Sequence, residues 1–385
     1  MRIGIYTNCY FPIVNGVVGT VNLLRKGFLE LGHEAYVFAP DVDRYQDDEE
    51  GVFRYPSINL TSKIKYPVAL PFSSSLKKQA VKLNFDLIHV HHPFVLGPLA
   101  LKFGRKEGIS VTYTFHTQYE LYSHYIPLPK GVVAWSAKRQ VCNFCQAVDQ
   151  VTTPAASAQQ ILLDYGVTTS IKVIPNPIDL GRFRNASRVR IRAKYGLNEE
   201  KLLINVGRVS PEKNLNLLLD SFKLMQEKTN TKQLKLMIVG DGPNLESLKE
   251  QARRLKIEAQ VIFTGMVAPT EIPDFLKAAD LFIMTSFSEV KPLAQLEALA
   301  SGLPVVSVAA IGANDTISNG ENGLLVEGDV SEISKAVLGL VFNENRMKNF
   351  CKKALLTADE YSYLKISKQY LDLFEKLIHK EKICS

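Results

Sequence analysis

No apolar run in this sequence approaches the ~20 residues needed to span a bilayer, so any membrane contact is expected to be peripheral. Cysteine is scarce: there are five, an odd number, and no signal-peptide pattern precedes the first strand-like run, "MRIGIYT". That usage fits a reducing cytoplasm rather than a disulfide framework. Cys142 and Cys145 form a C-x-x-C in a long helix-like run with no second pair, which favours helix packing over a metal or redox role. There is no internal repeat, no low-complexity tract and no nucleic-acid-binding module, so nucleic acid is not an expected partner. The run "VGDGPNLESL" lacks the third glycine of a dinucleotide fingerprint, because Leu245 stands there. Gly240 and Gly242 therefore read as a tight strand-to-helix turn, which argues against a nucleotide-dependent dehydrogenase. Asp41-Val42-Asp43 has the Asp-x-Asp form of a metal site, but it lies in an acidic loop with Asp47, Asp48, Glu49 and Glu50. No metal and no bound cofactor are expected.

What is present is an ordinary soluble composition, 46% hydrophobic and 22% charged, over 385 residues, a length that calls for two domains. The net charge of +7 is uneven: residues 55 to 140 carry eleven Lys and Arg against three Asp and Glu. Such a block suits anionic lipid headgroups, a phosphorylated partner or solvated helix faces. "RIGIYT", "EAYVFAP", "DLIHVHH", "SVTYTFHT" and "QVTTPA" read as strands, with helical patterns such as "GTVNLLRKGFLELGH" and "GPLALKFGRKEG" between them. After a proline-marked linker at "IKVIPNPIDLGRFRNA" the alternation restarts with "KLLINVGRV", "LKLMIVGDG", "QVIFTG", "DLFIMTS" and "PVVSV". The fold class is α/β: two doubly wound domains, 1–176 and 177–358, facing across a cleft, and an amphipathic helix over 359–385.

Two segments carry chemistry. "NVGRVSPEKNLNLLLDSF" places Arg208 and Lys213 five residues apart on a strand-to-helix loop, where a fork of donors and a point charge suit a diphosphate. "SEVKPLAQLEALASGLPVV" puts Glu289 and Glu297 eight positions apart, with Pro292 at the first turn of a helix between them. Eight helical steps span about 12 Å, beyond the roughly 5 to 9.5 Å of a glycosidase acid/base pair. A clamp fits better, with the free N–H groups near Pro292 and Leu293 favouring a nucleotide phosphate. His89, His91 and His92 alternate along a strand and cannot all face one ion; His92 either lines a ligand site or is a satisfied strand-end group. His116 ends another strand at its carboxyl edge.

"GRVSPEK", the Glu-x7-Glu and the N-terminal "YFPIVNGV", in this order over nearly the whole chain, resemble the retaining GT-B glycosyltransferases of family 4. The resemblance implies two Rossmann-like domains, the first on the acceptor side and the second holding a nucleotide sugar as co-substrate without a metal. It also implies that the last helix crosses back to the first domain. By motif, Arg208 and Lys213 would hold the diphosphate, Glu297 the ribose and Glu289 the transferred hexose. The Gly16 backbone would approach the donor phosphate, and His116 would lie beside the sugar. The implied chemistry is front-face retention, in which the leaving diphosphate helps deprotonate the acceptor. Val290-Lys291-Pro292 and Ile311-Gly312-Ala313-Asn314-Asp315 depart from the usual family loops and bear on donor choice.

"HHPFVLGPLALKFGRKEGISVTYTFHTQYELYSHYIPLP" is similar to stretches of bacterial enzymes that glucosylate diacylglycerol. That likeness implies UDP-glucose as donor, an acceptor channel beside Phe94, Tyr119, Tyr122, His124 and Tyr125, and a cytoplasmic protein peripheral on the inner face of an anionic membrane. Transfer to a soluble sugar, polyol or polyprenyl-linked glycan, a UDP-galactose or GDP-mannose donor, and a non-catalytic sugar-nucleotide binder stay open. Oligomeric state is not legible.

Overall fold

The computed structural model describes residues 1–59, 67–120, 129–229, 233–287 and 292–384. The chain forms two units, one of Met1–Pro177 with Tyr363–Ser385 and the other of Ile178–Ser362.

In the first unit the strands are β1 (Arg2–Tyr6), β2 (Glu34–Pro40), β3 (Val52–Tyr55), β4 (Ser57–Ile58), β5 (Val68–Ala69), β6 (Leu87–Val90), β7 (Val111–Thr114), β8 (Gln150–Thr153) and β9 (Ile171–Val173). Seven of them make one parallel sheet in the order β3-β2-β1-β6-β7-β8-β9, and β4 and β5 form a short antiparallel pair. β6, β7 and β8 are buried at every position, the near-continuous burial expected of a sheet covered on both faces. The helix Gly16–Glu30 is stapled by Asn15, whose side chain accepts from the Val18 N–H. It packs against the last helix, Tyr363–Cys384, at Gly27; a Cβ there would lie 2.1 Å from Ser367 Oγ, so only glycine allows the approach. Phe374 and Tyr370 of that last helix are buried in the same core as Ile3, Ile5 and Phe28.

The second unit contains β10 (Lys201–Val206), β11 (Leu234–Val239), β12 (Val261–Phe263), β13 (Leu281–Met284), β14 (Val305–Val308) and β15 (Gly323–Val326), a parallel sheet in the order β12-β11-β10-β13-β14-β15. Both units are Rossmann-like. In each, the strand order reverses beside the first strand, between β1 and β6 and between β10 and β13, and open α/β sheets bind ligands at that point.

Two expectations shift. The segment 171–186 is no bare linker: Ile171–Val173 is an edge strand, and Leu180–Arg184 is a helix whose Phe183 is buried in the core of the second unit. Pro175 and Pro177 marked the break correctly, but the apolar residues flanking them are consumed by packing. The expected last helix is a single helix but starts at Tyr363 rather than at 359, because the preceding helix, Glu344–Asp359, runs to that point and a short turn separates the two. The turn between them is held as the Ile178 N–H donates to the Tyr361 carbonyl.

Candidate active site

The reversal in the second sheet brings the loops after β10 and β13 together. Leaving β10, Gly207 adopts φ +155 and the chain runs through Arg208 to a 3-10 turn, Pro211–Lys213, with Ser210 before it and proline at its first position. Asn214, in the left-handed region at φ +50, ends the turn and the helix Leu215–Thr229 follows. The loop is tied at both flanks. Thr285 Oγ1 donates to the Lys213 carbonyl at 3.0 Å and Ser286 Oγ to the Glu212 carbonyl at 3.0 Å, from just beyond β13. On the other side, the Gly207 N–H donates to Val239 O and the Val209 N–H to Asp241 O. Gly240, at φ +137, is required there: a Cβ would sit 1.9 Å from the Gly207 carbonyl oxygen. Arg208 is exposed, Lys213 is half-buried, and the Lys213 stem passes over Gly207. A loop anchored by backbone on two sides presents two cations at the carboxyl edge of the sheet, a geometry suited to an anion.

Pro292 occupies the N-cap of the helix Leu293–Ala300 rather than its first turn, since its ψ of 111 is extended; Leu293 opens the helix. Glu297 lies in the second turn. Burial raises its carboxyl to about 7, partly offset by the Arg182 guanidinium. Arg182, in Leu180–Arg184, donates to the Pro269 carbonyl at 2.8 Å. Sequence reasoning missed it because it fell in the presumed linker. Glu289 lies outside the described residues, as do Val290 and Lys291.

In the first unit the loops after β1, β6 and β7 converge. The Asn8 N–H donates to His92 Nδ1 at 3.1 Å, and Thr7 Oγ1 lies 3.2 Å from the same atom. Asn8 Nδ2 donates to Phe94 O, and the Leu96 N–H to Asn8 Oδ1. His92 is thus a satisfied strand-end histidine that stitches two loops. Gly16 opens its helix, exposed, one residue past the Asn15 cap. His116, half-buried, stands 2.8 Å from His91, and burial lowers its pKa to about 3. Phe94 and Tyr119 meet edge to face with centroids 4.8 Å apart, while Tyr122, His124 and Tyr125 lie outside the described residues. Cys145 is buried, and Cys142 and Cys145 are both free thiols. Among the described residues no cluster of His, Cys, Asp and Glu could hold a metal ion, and no helix is long and apolar enough to cross a membrane.

Comparison with known proteins assigns this architecture. Residues 187–356 match the family model described as glycosyl transferases group 1, and residues 14–182 that described as glycosyltransferase family 4. The alpha-monoglucosyldiacylglycerol synthase of Streptococcus pneumoniae is 36% identical over 347 residues, 88% of this chain and 78% of that protein. The chain belongs to glycosyltransferase family 4. The synthase of the same name from Acholeplasma laidlawii is 27% identical to this glycosyltransferase, over 98% of each chain. Among solved structures, Anabaena HepE in complex with UDP matches with a TM-score of 0.81 at 19% identity, covering 98% of this chain and 100% of that one. The HepE complex with UDP-glucose gives 0.78 at 18%, covering 97% and 99%. The fold of this glycosyltransferase is GT-B.

Proposed function

We propose that this glycosyltransferase moves glucose from UDP-glucose onto a membrane lipid of the diacylglycerol type, forming an α-glycosidic bond with retention and without a metal. The observation that carries the donor half is the doubly anchored loop presenting Arg208 and Lys213 at the strand-order reversal beside the helix of Glu297. Arg208 and Lys213 take the diphosphate and stabilise its charge as the sugar leaves. Glu297 accepts from the ribose hydroxyls, Glu289 from the hexose, and the helix N-terminus at Pro292 and Leu293 faces the phosphates. Pro292 itself has no N–H, so Leu293 supplies the first donor. Gly16 offers backbone to the donor phosphate and His116 hydrogen-bonds the sugar. The leaving phosphate oxygen takes the acceptor proton, so no enzyme nucleophile enters. UDP-glucose is supported by the complexes solved for HepE, and the lipid acceptor by the names of the two synthases.

The basic block supports a peripheral contact with an anionic membrane. Lys77, Lys78 and Lys82 are exposed on the helix Ser74–Leu83, next to Phe72, itself 86% exposed. On the helix Lys130–Ala147, Trp135 is 60% and Val132 58% exposed, with the Arg139 guanidinium 5.3 Å from the Trp135 ring centre. Basic side chains flanking exposed aromatic and aliphatic ones suit a headgroup boundary. Phe94 and Tyr119 contribute to the acceptor channel, together with Tyr122, His124 and Tyr125.

The test is product analysis with labelled UDP-glucose, UDP-galactose and GDP-mannose, each with and without diacylglycerol in anionic micelles. α-Glucosyl lipid is expected. A β-linkage overturns the mechanism, and transfer confined to soluble acceptors overturns the lipid assignment.

A further inference from the structure

Behind His116, which the proposed transfer sets beside the sugar, His91 and His89 continue inward as a chain of buried rings that the transfer itself does not use. His89 and His91, two residues apart on an extended chain, point to the same side of the sheet, with ring centroids 4.2 Å apart. β7 runs beside β6 and delivers His116, whose ring stacks on His91 with planes 14° apart and Nε2 at 2.8 Å from His91 Nδ1. At the far end, His89 Nε2 lies 2.7 Å from Thr114 Oγ1, which lies 2.6 Å from Thr152 Oγ1. Tyr370 and Phe374 of the last helix cover His89. His91 Nε2 and His89 Nδ1 are sealed from solvent and meet no hydrogen-bond partner among the described residues.

That accounting selects a tautomer. If His116 Nε2–H donated to His91 Nδ1, the proton of neutral His91 would sit on Nε2 as a buried N–H with no acceptor. If His91 Nδ1–H donates to His116 Nε2, only a lone pair is left unmatched at His91 Nε2. Orphaned buried N–H groups are the rarer of the two. The same choice holds at His89, where Nε2–H donates to Thr114 Oγ1 and Nδ1 keeps a lone pair. Charging the chain is no escape, because burial holds every member neutral: His89 and His116 are lowered to about 3, and His91 is lowered by burial and then by the neighbouring His89, His116 and His92.

We propose that His91 is a positioning residue that fixes His116 in its Nδ1–H tautomer, so that His116 meets the transferred sugar as a neutral hydrogen-bond donor. The inference rests on the reading of His116 as the sugar-side histidine; the tautomer itself is measurable without turnover. A histidine fixed in this way cannot serve as a general base through Nε2, since that lone pair is engaged.

The experiment uses the full chain labelled with ¹⁵N-histidine. Long-range ¹H–¹⁵N correlations distinguish the two tautomers, and His116→Gln assigns the His116 signals by their loss. A protonated Nδ1 and an unprotonated Nε2 are expected on His116 from pH 6 to 8. A protonated Nε2 overturns the proposal. His91→Asn, whose amide nitrogen can replace Nδ1 as donor, should keep kcat within about threefold. His91→Leu should lower kcat at least tenfold with little change in donor KM and shift His116 toward the Nε2–H form. If His91→Leu leaves the His116 tautomer unchanged, His91 only fills space and the proposal fails, whatever the activity. The expected tautomer in a chain that transfers no sugar to any acceptor would support the positioning role while overturning the proposed transfer.

Discussion

Replacing Glu297 by glutamine should make the second unit more stable at pH 8 while weakening nucleotide binding. The Glu297 carboxyl is raised from its ordinary 4.5 to about 7, mainly by burial. Between those values the folded chain holds a proton that the unfolded chain has released, so stability falls as pH rises through the window. Below about pH 4.5 both states are protonated and the penalty vanishes; above about pH 7 it is complete. At about 1.4 kcal/mol per pH unit, the interval corresponds to about 3 kcal/mol, an upper bound because Glu297 is only half-buried and retains solvent contact. A glutamine at this position carries no charge to bury, so the Glu297→Gln variant should gain up to about 3 kcal/mol at pH 8 and nearly nothing at pH 4.5. Urea unfolding measures this if two probes are compared. Trp135, the single tryptophan, reports the first unit by fluorescence, whereas far-UV circular dichroism reports both. Ribose hydroxyls donating to the carboxylate favour its charged form, so UDP affinity of the parent chain should rise from pH 6 to pH 8 and that dependence should vanish in the variant. A variant equally or less stable at pH 8 would refute the argument for a desolvated carboxyl. Unchanged pH dependence of UDP binding would refute its placement at the ribose.

Gly240→Ala places a Cβ against the Gly207 carbonyl and strains a backbone at φ +137, so calorimetric titration should show UDP affinity falling at least tenfold, with a lower melting temperature. Phe374→Ala empties a fully buried site against Phe28, Tyr370 and His89 and should cost about 3 to 5 kcal/mol in the transition reported by Trp135. On mixing with vesicles rich in anionic lipid, Trp135 emission should shift to the blue, and neutral vesicles or 0.5 M salt should abolish the shift; no shift with anionic vesicles argues against that face touching the membrane. Lys213→Ala should lower kcat/KM by about 100-fold or more in the transfer assay, the order seen when one stabilising donor is removed from a reacting centre.

The alternation of strand and helix was legible because parallel strands buried on both faces spell near-continuous apolar runs, as in "KLLINV" and "LKLMIV". Short edge elements such as β3, β9 and β15 were not, since three or four partly buried residues leave little pattern. The strand-to-helix loop carrying Arg208 and Lys213 and a helix start close to Pro292 were written locally, because turns depend on neighbours in sequence, whereas the place of Pro292 at the N-cap rather than in the first turn was not.

Local pattern thus sufficed for the pair of doubly wound units and for the motif residues at their strand ends. Tertiary structure alone decided that Arg182 stands near Glu297, that Thr285 and Ser286 anchor the cation loop, that His92 is a structural tie, and that His91 rather than solvent holds His116. Each of these pairs joins residues 25 or more positions apart. The physical reason is that strand order, not chain order, chooses neighbours: β6 lies beside both β1 and β7, and β13 beside β10, so side chains at those ends meet only after the sheets have closed.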